Sequence, residues 1–160
     1  MTDPRLETLR GTRLATELTD RQAEVLAEVL TLRDLKAGDV LVQEGTTDNH
    51  LYVIVNGVLG VVKNAGTPEA LTLHTLSAGD FVDELGFLDG TPYYASKVAM
   101  SNLTVLGLAR ERLEAMLHEH PELVYRVMRA IVRVAHQIQR RLSMQQTELS
   151  NYIYKQHGRY

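Results

Sequence analysis

Hydrophobic positions along the chain fall into three periods. Residues 1–30 keep a helical spacing, with Val25, Leu26, Val29 and Leu30 on a single apolar face. Thr19 and Asp20 offer N-caps ahead of that face, and Gln22, three residues after Thr19, completes a capping-box pattern. Between Leu32 and Leu108 the period drops to two. Val40 and Val42 alternate with Leu41 and Gln43; Leu51, Val53 and Val55 alternate with Tyr52, Ile54 and Asn56; Leu71, Leu73 and Thr75 continue the series. Such runs predict half-buried strands. Gly38, Gly45, Gly57, Gly60, Gly66, Gly79, Gly86 and Gly90 separate them as turn or bulge positions. From Ala109 the helical spacing returns. It predicts a short helix over 110–118 and a final one from Pro121 to about Gln156, stopped by Gly158 and about 50 Å long. Many short strands with glycine turns, bracketed by helices, predict an α+β fold. Its centre is an antiparallel, jelly-roll-like β-roll, flanked by N-terminal helices and a long C-terminal helix.

The final helix is longer than its own domain requires. Val127, Ile131, Val134 and Ile138 step by 4, 3 and 4, the spacing of a coiled-coil seam, and predict a homodimer through this helix. The alternative is an ordinary amphipathic helix docked on the roll. Five arginines and no carboxylate lie between Leu123 and Thr147, so a net charge of −3 divides into +5 here and −8 elsewhere. Arg126, Arg129, Arg133 and Arg140, with His136, form one stripe. It is either a face that pairs with acidic residues elsewhere in the chain or a nucleic-acid stripe. The acidic total and the lack of interleaved aromatics count against the latter.

Composition removes several function classes. With no cysteine among 160 residues there is no disulfide, thiol nucleophile or thiolate metal site. No apolar run reaches the roughly 18 residues of a membrane span, and the polar start is no signal peptide, so a cytoplasmic protein is expected. The six histidines show no metal-ligand spacing, and Asp83 and Glu84, adjacent in sequence, would face opposite sides of a strand. A non-enzymatic protein without metal or cofactor is expected.

The segment 79–96 is the informative one: Gly79-Asp80-Phe81-Val82-Asp83-Glu84-Leu85-Gly86-Phe87-Leu88-Asp89-Gly90-Thr91-Pro92-Tyr93-Tyr94-Ala95-Ser96. A turn over Asp83–Gly86 would present successive backbone N–H groups to an anion. The segment resembles the phosphate-binding cassette of the cyclic nucleotide-binding domain, as in the catabolite activator protein and the regulatory subunits of protein kinase A. Lys36-Ala37-Gly38-Asp39, Glu44-Gly45, Leu51-Tyr52-Val53-Ile54-Val55-Asn56-Gly57, Leu76-Ser77-Ala78-Gly79-Asp80 and Pro121-Glu122-Leu123 are similar to the family's other landmarks and keep their order. The resemblance covers roughly residues 14–145. It implies a sensor module that binds a cyclic nucleotide or related anion and signals through its C-terminal helix to a partner. The β-roll domain would span residues 1–120 and the dimerisation helix 121–157. The chain ends at Tyr160 with no room for the family's helix-turn-helix, so no DNA-binding domain and no membrane contact is expected.

By the same resemblance Glu84 would bond the ribose 2′-hydroxyl, with Leu85, Gly86, Ala95 and Ser96 also fitting the ligand-binding pattern. Two positions depart from it. The family's glycine before the glutamate is Asp83, and the arginine that pairs with the cyclic phosphate falls at Tyr93, or at Tyr94 in the longer register. A cation is lost and a carboxylate gained, and a unit pair at 4 Å is worth about 4 kcal/mol at an effective dielectric near 20. These changes favour the alternative, a degenerate fold kept as a dimerisation or protein-interaction scaffold. Lys97 supplies a substitute cation if it points into the roll and is merely solvated if a bulge turns it outward. Arg133 is a candidate partner for Asp83 or Glu84. Gln139 lies either where the family's helix contacts the base or beside the seam.

Overall fold

The computed structural model describes residues 3–82 and 84–157. Helices α1 (Pro4–Arg10) and α2 (Asp20–Ala27) are joined through a short 3-10 turn at Arg13–Ala15. The capping box stands as expected: Gln22 N donates to Thr19 Oγ1 at 3.2 Å and Thr19 N donates to Gln22 Oε1 at 3.0 Å. Strands β1 (Leu30–Leu35), β2 (Val40–Val42), β3 (His50–Asn56), β4 (Leu59–Lys63), β5 (Leu71–Leu76) and β6 (Phe81–Val82) follow. Helix α3 (Glu84–Asp89), strands β7 (Ser96–Ala99) and β8 (Leu103–Ala109), and helices α4 (Arg110–Ala115) and α5 (Pro121–His157) complete the described chain. Of the stretch expected as an Asp83–Gly86 turn, Glu84 to Gly86 open α3, and Asp83 lies outside the described residues.

The strands form two antiparallel four-stranded sheets, ordered β1-β8-β3-β6 and β2-β7-β4-β5. One core lies between the sheets and holds Tyr52, Ile54, Leu59, Val82, Tyr93, Leu103 and Val105. The other lies between the outer face of the first sheet and the helices, where Leu51, Val53, Phe81, Leu106 and Leu108 meet Leu9, Leu14, Leu26, Val127 and Ile131. Strand β3 is therefore buried on both faces, not half-buried as its alternation suggested, because both alternating sets are apolar. Strand β5 departs in the other direction. It is a sheet edge, and Leu71 and Leu73 face solvent. The hairpin between β3 and β4 depends on Gly57, whose φ of 94° admits no ordinary side chain and whose Cβ would fall 2.3 Å from Asn102 O.

Helix α5 matches the expected span, but its apolar stripe has a different neighbour. Val127, Ile131 and Val134 are 0–2% exposed in the single chain, packed in the helix–sheet core. They have no surface left for a second copy, and the seam assigned to them is corrected to a docking face. The side chain of Ile138, the fourth seam position, lies outside the described residues. Beyond Val134 the character changes, and Met144, Leu149 and Ile153 are 48–61% exposed. The arginine stripe turns inward to the N-terminal segment. Arg133 Nη1 lies 2.9 Å and Arg129 Nε 3.3 Å from Glu17 Oε1, while Arg126 Nη1 donates to Glu17 O at 2.6 Å. Arg133, offered to Asp83 or Glu84 by the sequence, is held by Glu17. Among the described residues, no helix is long and apolar enough to cross a membrane.

Ile131→Ala should lower the unfolding free energy by about 2–5 kcal/mol, the cost of a cavity in a packed core. In urea denaturation the loss relative to wild type should be the same at every protein concentration. A loss that varies with concentration would place this face between two copies instead.

Candidate functional site

The site is built from the register of β7 on β4. Leu59 pairs with Ala99, Gly60 with Val98, Val61 with Lys97 and Val62 with Ser96, without interruption. Leu59 and Ala99 face the core between the sheets, so strand alternation turns Lys97 the same way. The lysine is 5% exposed, and the inward orientation holds. A buried ammonium needs acceptors. Lys97 Nζ donates to Ala95 O at 3.3 Å and lies 5.5 and 5.6 Å from the ring centroids of Tyr93 and Tyr94, within cation–π reach.

The two tyrosines separate cleanly. Tyr94 is 58% exposed and Tyr93 only 5%, so Tyr93 is the one that reaches the interior. The loop before β3 fixes it there: Tyr93 N donates to Thr46 O at 2.9 Å and Gly45 N donates to Tyr93 O at 2.7 Å. That brings Asp48 within reach. The Tyr93 hydroxyl donates to Asp48 Oδ1, the Tyr52 hydroxyl donates to Asp48 Oδ2 at 2.8 Å, and His50 N donates to Oδ1 at 3.2 Å. Asn49 adopts φ of 54°, a left-handed turn that asparagine tolerates, and so aims its neighbours. Burial first, and the bond to Asp48 second, push the Tyr52 hydroxyl above the usual tyrosine range. Sequence reasoning missed Asp48. It sits in a polar loop, and its partner Tyr93 is 45 residues away, a separation that no local spacing encodes.

The remaining expected residues are distributed as follows. Ala95 is fully buried and Ser96 is 4% exposed, its Oγ accepting from Glu44 N at 2.9 Å. Glu44 Oε1 in turn accepts from Asn64 N at 3.1 Å and lies 3.5 Å from Lys63 Nζ. Gly86 is in α3. Asp83 and the side chains of Glu84, Leu85 and Gln139 lie outside the described residues. Among the described residues the structure thus gathers Tyr93, Ala95, Ser96 and Lys97 with Asp48 and Tyr52: one inward cation, one half-buried carboxylate and three hydroxyls. Among the described residues no group of three or more histidine, aspartate or glutamate side chains could hold a metal ion.

A β-roll capped by a short helix and backed by one long helix is the architecture of a regulatory module. The chain belongs to the cyclic nucleotide-binding domain family, whose profile, described as "Cyclic nucleotide-binding domain", matches residues 32–120. Among curated proteins it is 30% identical over 128 residues to the "Pycsar effector protein BcPycTIR" of Burkholderia cepacia, covering 79% of this chain and 40% of that one. The chain thus spans less than half the length of that relative. A solved cyclic nucleotide-binding domain from Methylobacillus flagellatus superposes with a TM-score of 0.73 at 23% identity, covering 85% of this chain and 76% of the other. The regulatory subunit of a cAMP-independent protein kinase A from Trypanosoma brucei gives 0.62 at 21% identity, covering 84% and 50%. Both structures are likenesses of fold.

Because the folded state favours the protonated Tyr52 hydroxyl, the stability it contributes is present below about pH 10, where unfolded tyrosine titrates, and falls as pH rises above it. Tyr52→Phe should be less stable than wild type by about 1 kcal/mol at pH 8 through the lost hydrogen bond. Urea titrations at stepped pH should show that gap close as alkalinity increases. A gap constant to pH 11 would remove the Tyr52–Asp48 bond from the account.

Proposed function

We propose that the chain is a non-catalytic sensor whose roll takes a small anion of the cyclic-nucleotide kind and reports its presence through α5. The single observation that carries this reading is the buried, inward ammonium of Lys97 beside Ala95 and Ser96. It supplies, from β7, the cation that the cassette lost at Tyr93. By family likeness Glu84 would bond a sugar hydroxyl, with Leu85 and Gly86 beside it. Unmodified cAMP and cGMP should bind more weakly than micromolar, because Asp83 replaces a glycine and Asp48 adds a second carboxylate.

A second reading rests on a specific contact: the Tyr93 hydroxyl is already bonded to Asp48, as it would be in a roll kept only as a scaffold. The family includes a regulatory subunit described as cAMP-independent, which supports this alternative. In either case the proposed partner is a second copy. Beyond Val134, the apolar side chains of Met144, Leu149 and Ile153 stand exposed on α5, and in the sequence Ile138 and Leu142 keep the apolar spacing between them and Val134.

Calorimetric titration with cAMP, cGMP and cyclic dinucleotides separates the readings. Wild type should bind at least one of them. Lys97→Gln should weaken that binding about tenfold or more, and Asp83→Gly with Tyr93→Arg should tighten it for cAMP by a similar factor. Binding by the double variant alone would favour the scaffold. Light scattering should give a dimer that Leu149→Glu converts to a folded monomer. A dimer unaffected by that change would move the interface elsewhere.

A further inference from the structure

Asp48 stands in an unusual relation to the cassette. The position where the family resemblance puts a phosphate-pairing arginine is Tyr93, and what Tyr93 holds is a carboxylate of this chain. We propose that Asp48 is an internal anion, the built-in competitor that an anionic ligand must displace from Tyr93, and so the residue that sets the affinity of the roll. The inference rests on the anion-sensing reading given above.

Three features support it. The carboxylate is satisfied without any ligand, by two tyrosine hydroxyls and the His50 N–H. It is delivered by a loop anchored to the cassette itself, through the paired bonds of Gly45 and Thr46 with Tyr93. The bond to Tyr93 is also exchangeable in a way that an arginine's charge is not. A hydroxyl rotates to a new acceptor at little cost, so Tyr93 can turn to a ligand oxygen while Tyr52 and His50 N keep Asp48 bonded. An anion entering beside Lys97 therefore gains a hydroxyl donor and meets the repulsion of Asp48. Removing that charge while keeping its shape should strengthen binding, the opposite of what loss of a ligand contact does.

The test is calorimetric titration of cAMP and of cGMP into wild type, Asp48→Asn and Tyr93→Phe at fixed ionic strength, with circular dichroism to confirm folding. Asp48→Ser stands in if the asparagine variant fails that control. Asp48→Asn should tighten binding about tenfold or more, a gain of about 1.4 kcal/mol. Tyr93→Phe, which keeps the charge and removes the donor, should weaken binding. Equal or weaker binding by Asp48→Asn, or an equal gain from Tyr93→Phe, overturns the internal-anion role and leaves anion sensing standing. Absence of binding by every variant at millimolar nucleotide overturns the sensing reading and the role with it.

Discussion

An ammonium group enclosed in an apolar roll is the constraint around which this site is arranged. Lys97 is turned inward by an uninterrupted register on β4, and once there it must be solvated by the protein. A carbonyl and two aromatic faces are among the groups that do so. Tyr93, held by its loop bonds to Gly45 and Thr46, presents one of those faces, and its hydroxyl needs an acceptor in an environment that offers little water. Asp48 is that acceptor, and Asp48 in turn holds Tyr52. The sequence of dependence ends at Gly107, directly opposite Tyr52 on β8. A Cβ there would lie 2.8 Å from Thr31 Oγ1 and 3.3 Å from the Tyr52 ring, so only glycine leaves the phenol its place. The inward lysine, a buried tyrosine in the cassette, an acidic loop residue and a glycine of the first sheet thus form one connected set.

The polar interior is connected to the helices through the ends of the cassette. Arg13 lies 3.7 Å from Asp80, which precedes β6, and donates to Gln137 of α5 at 2.9 Å. At the other end Arg110 Nη1 donates to Phe87 O at 3.5 Å, beneath the last turn of α3. Arg13 thus ties the start of the cassette to α5, and Arg110 ties its end to the start of α4. Helix α5 buries its first half on the sheet and exposes its second, rising about 1.5 Å per residue. The signalling proposed above would run through these contacts.

Much of this was legible in the sequence, and the failures have physical causes. The Thr19–Gln22 capping box, the α5 span and the roll itself follow from local spacing, which is where short-range chemistry acts. The seam over Val127, Ile131 and Val134 failed because a 3–4 apolar stripe specifies that a face is buried and not which neighbour buries it. Here the neighbours are α1, the turn over Arg13–Ala15 and the outer face of the first sheet. The orientation of Lys97 was open because a single bulge would reverse it. Bulges do occur on the strands around it, between Val40 and Val42 and between Val61 and Val62 against β5, but the β4–β7 pairing escapes them. Asp48 was invisible because loop closure, not spacing, brings it to Tyr93.

The charge asymmetry of the chain illustrates why location outweighs total. The arginines of α5 that make the helix basic gather on Glu17, on the helical side of the first sheet and away from the roll interior. Half-exposed pairs of this kind contribute about 1 kcal/mol or less each. One oxygen of Glu17, Oε2, is also buried with no hydrogen-bond partner among the described residues, a penalty of about 1–3 kcal/mol. The cluster therefore fixes where α5 sits without adding much stability. Under the anion-sensing proposal Lys97, buried in the roll, would attract a ligand and Asp48, half-buried in its loop, would oppose it. Selectivity among anions would then follow from these local charges, and not from the −3 of the whole chain.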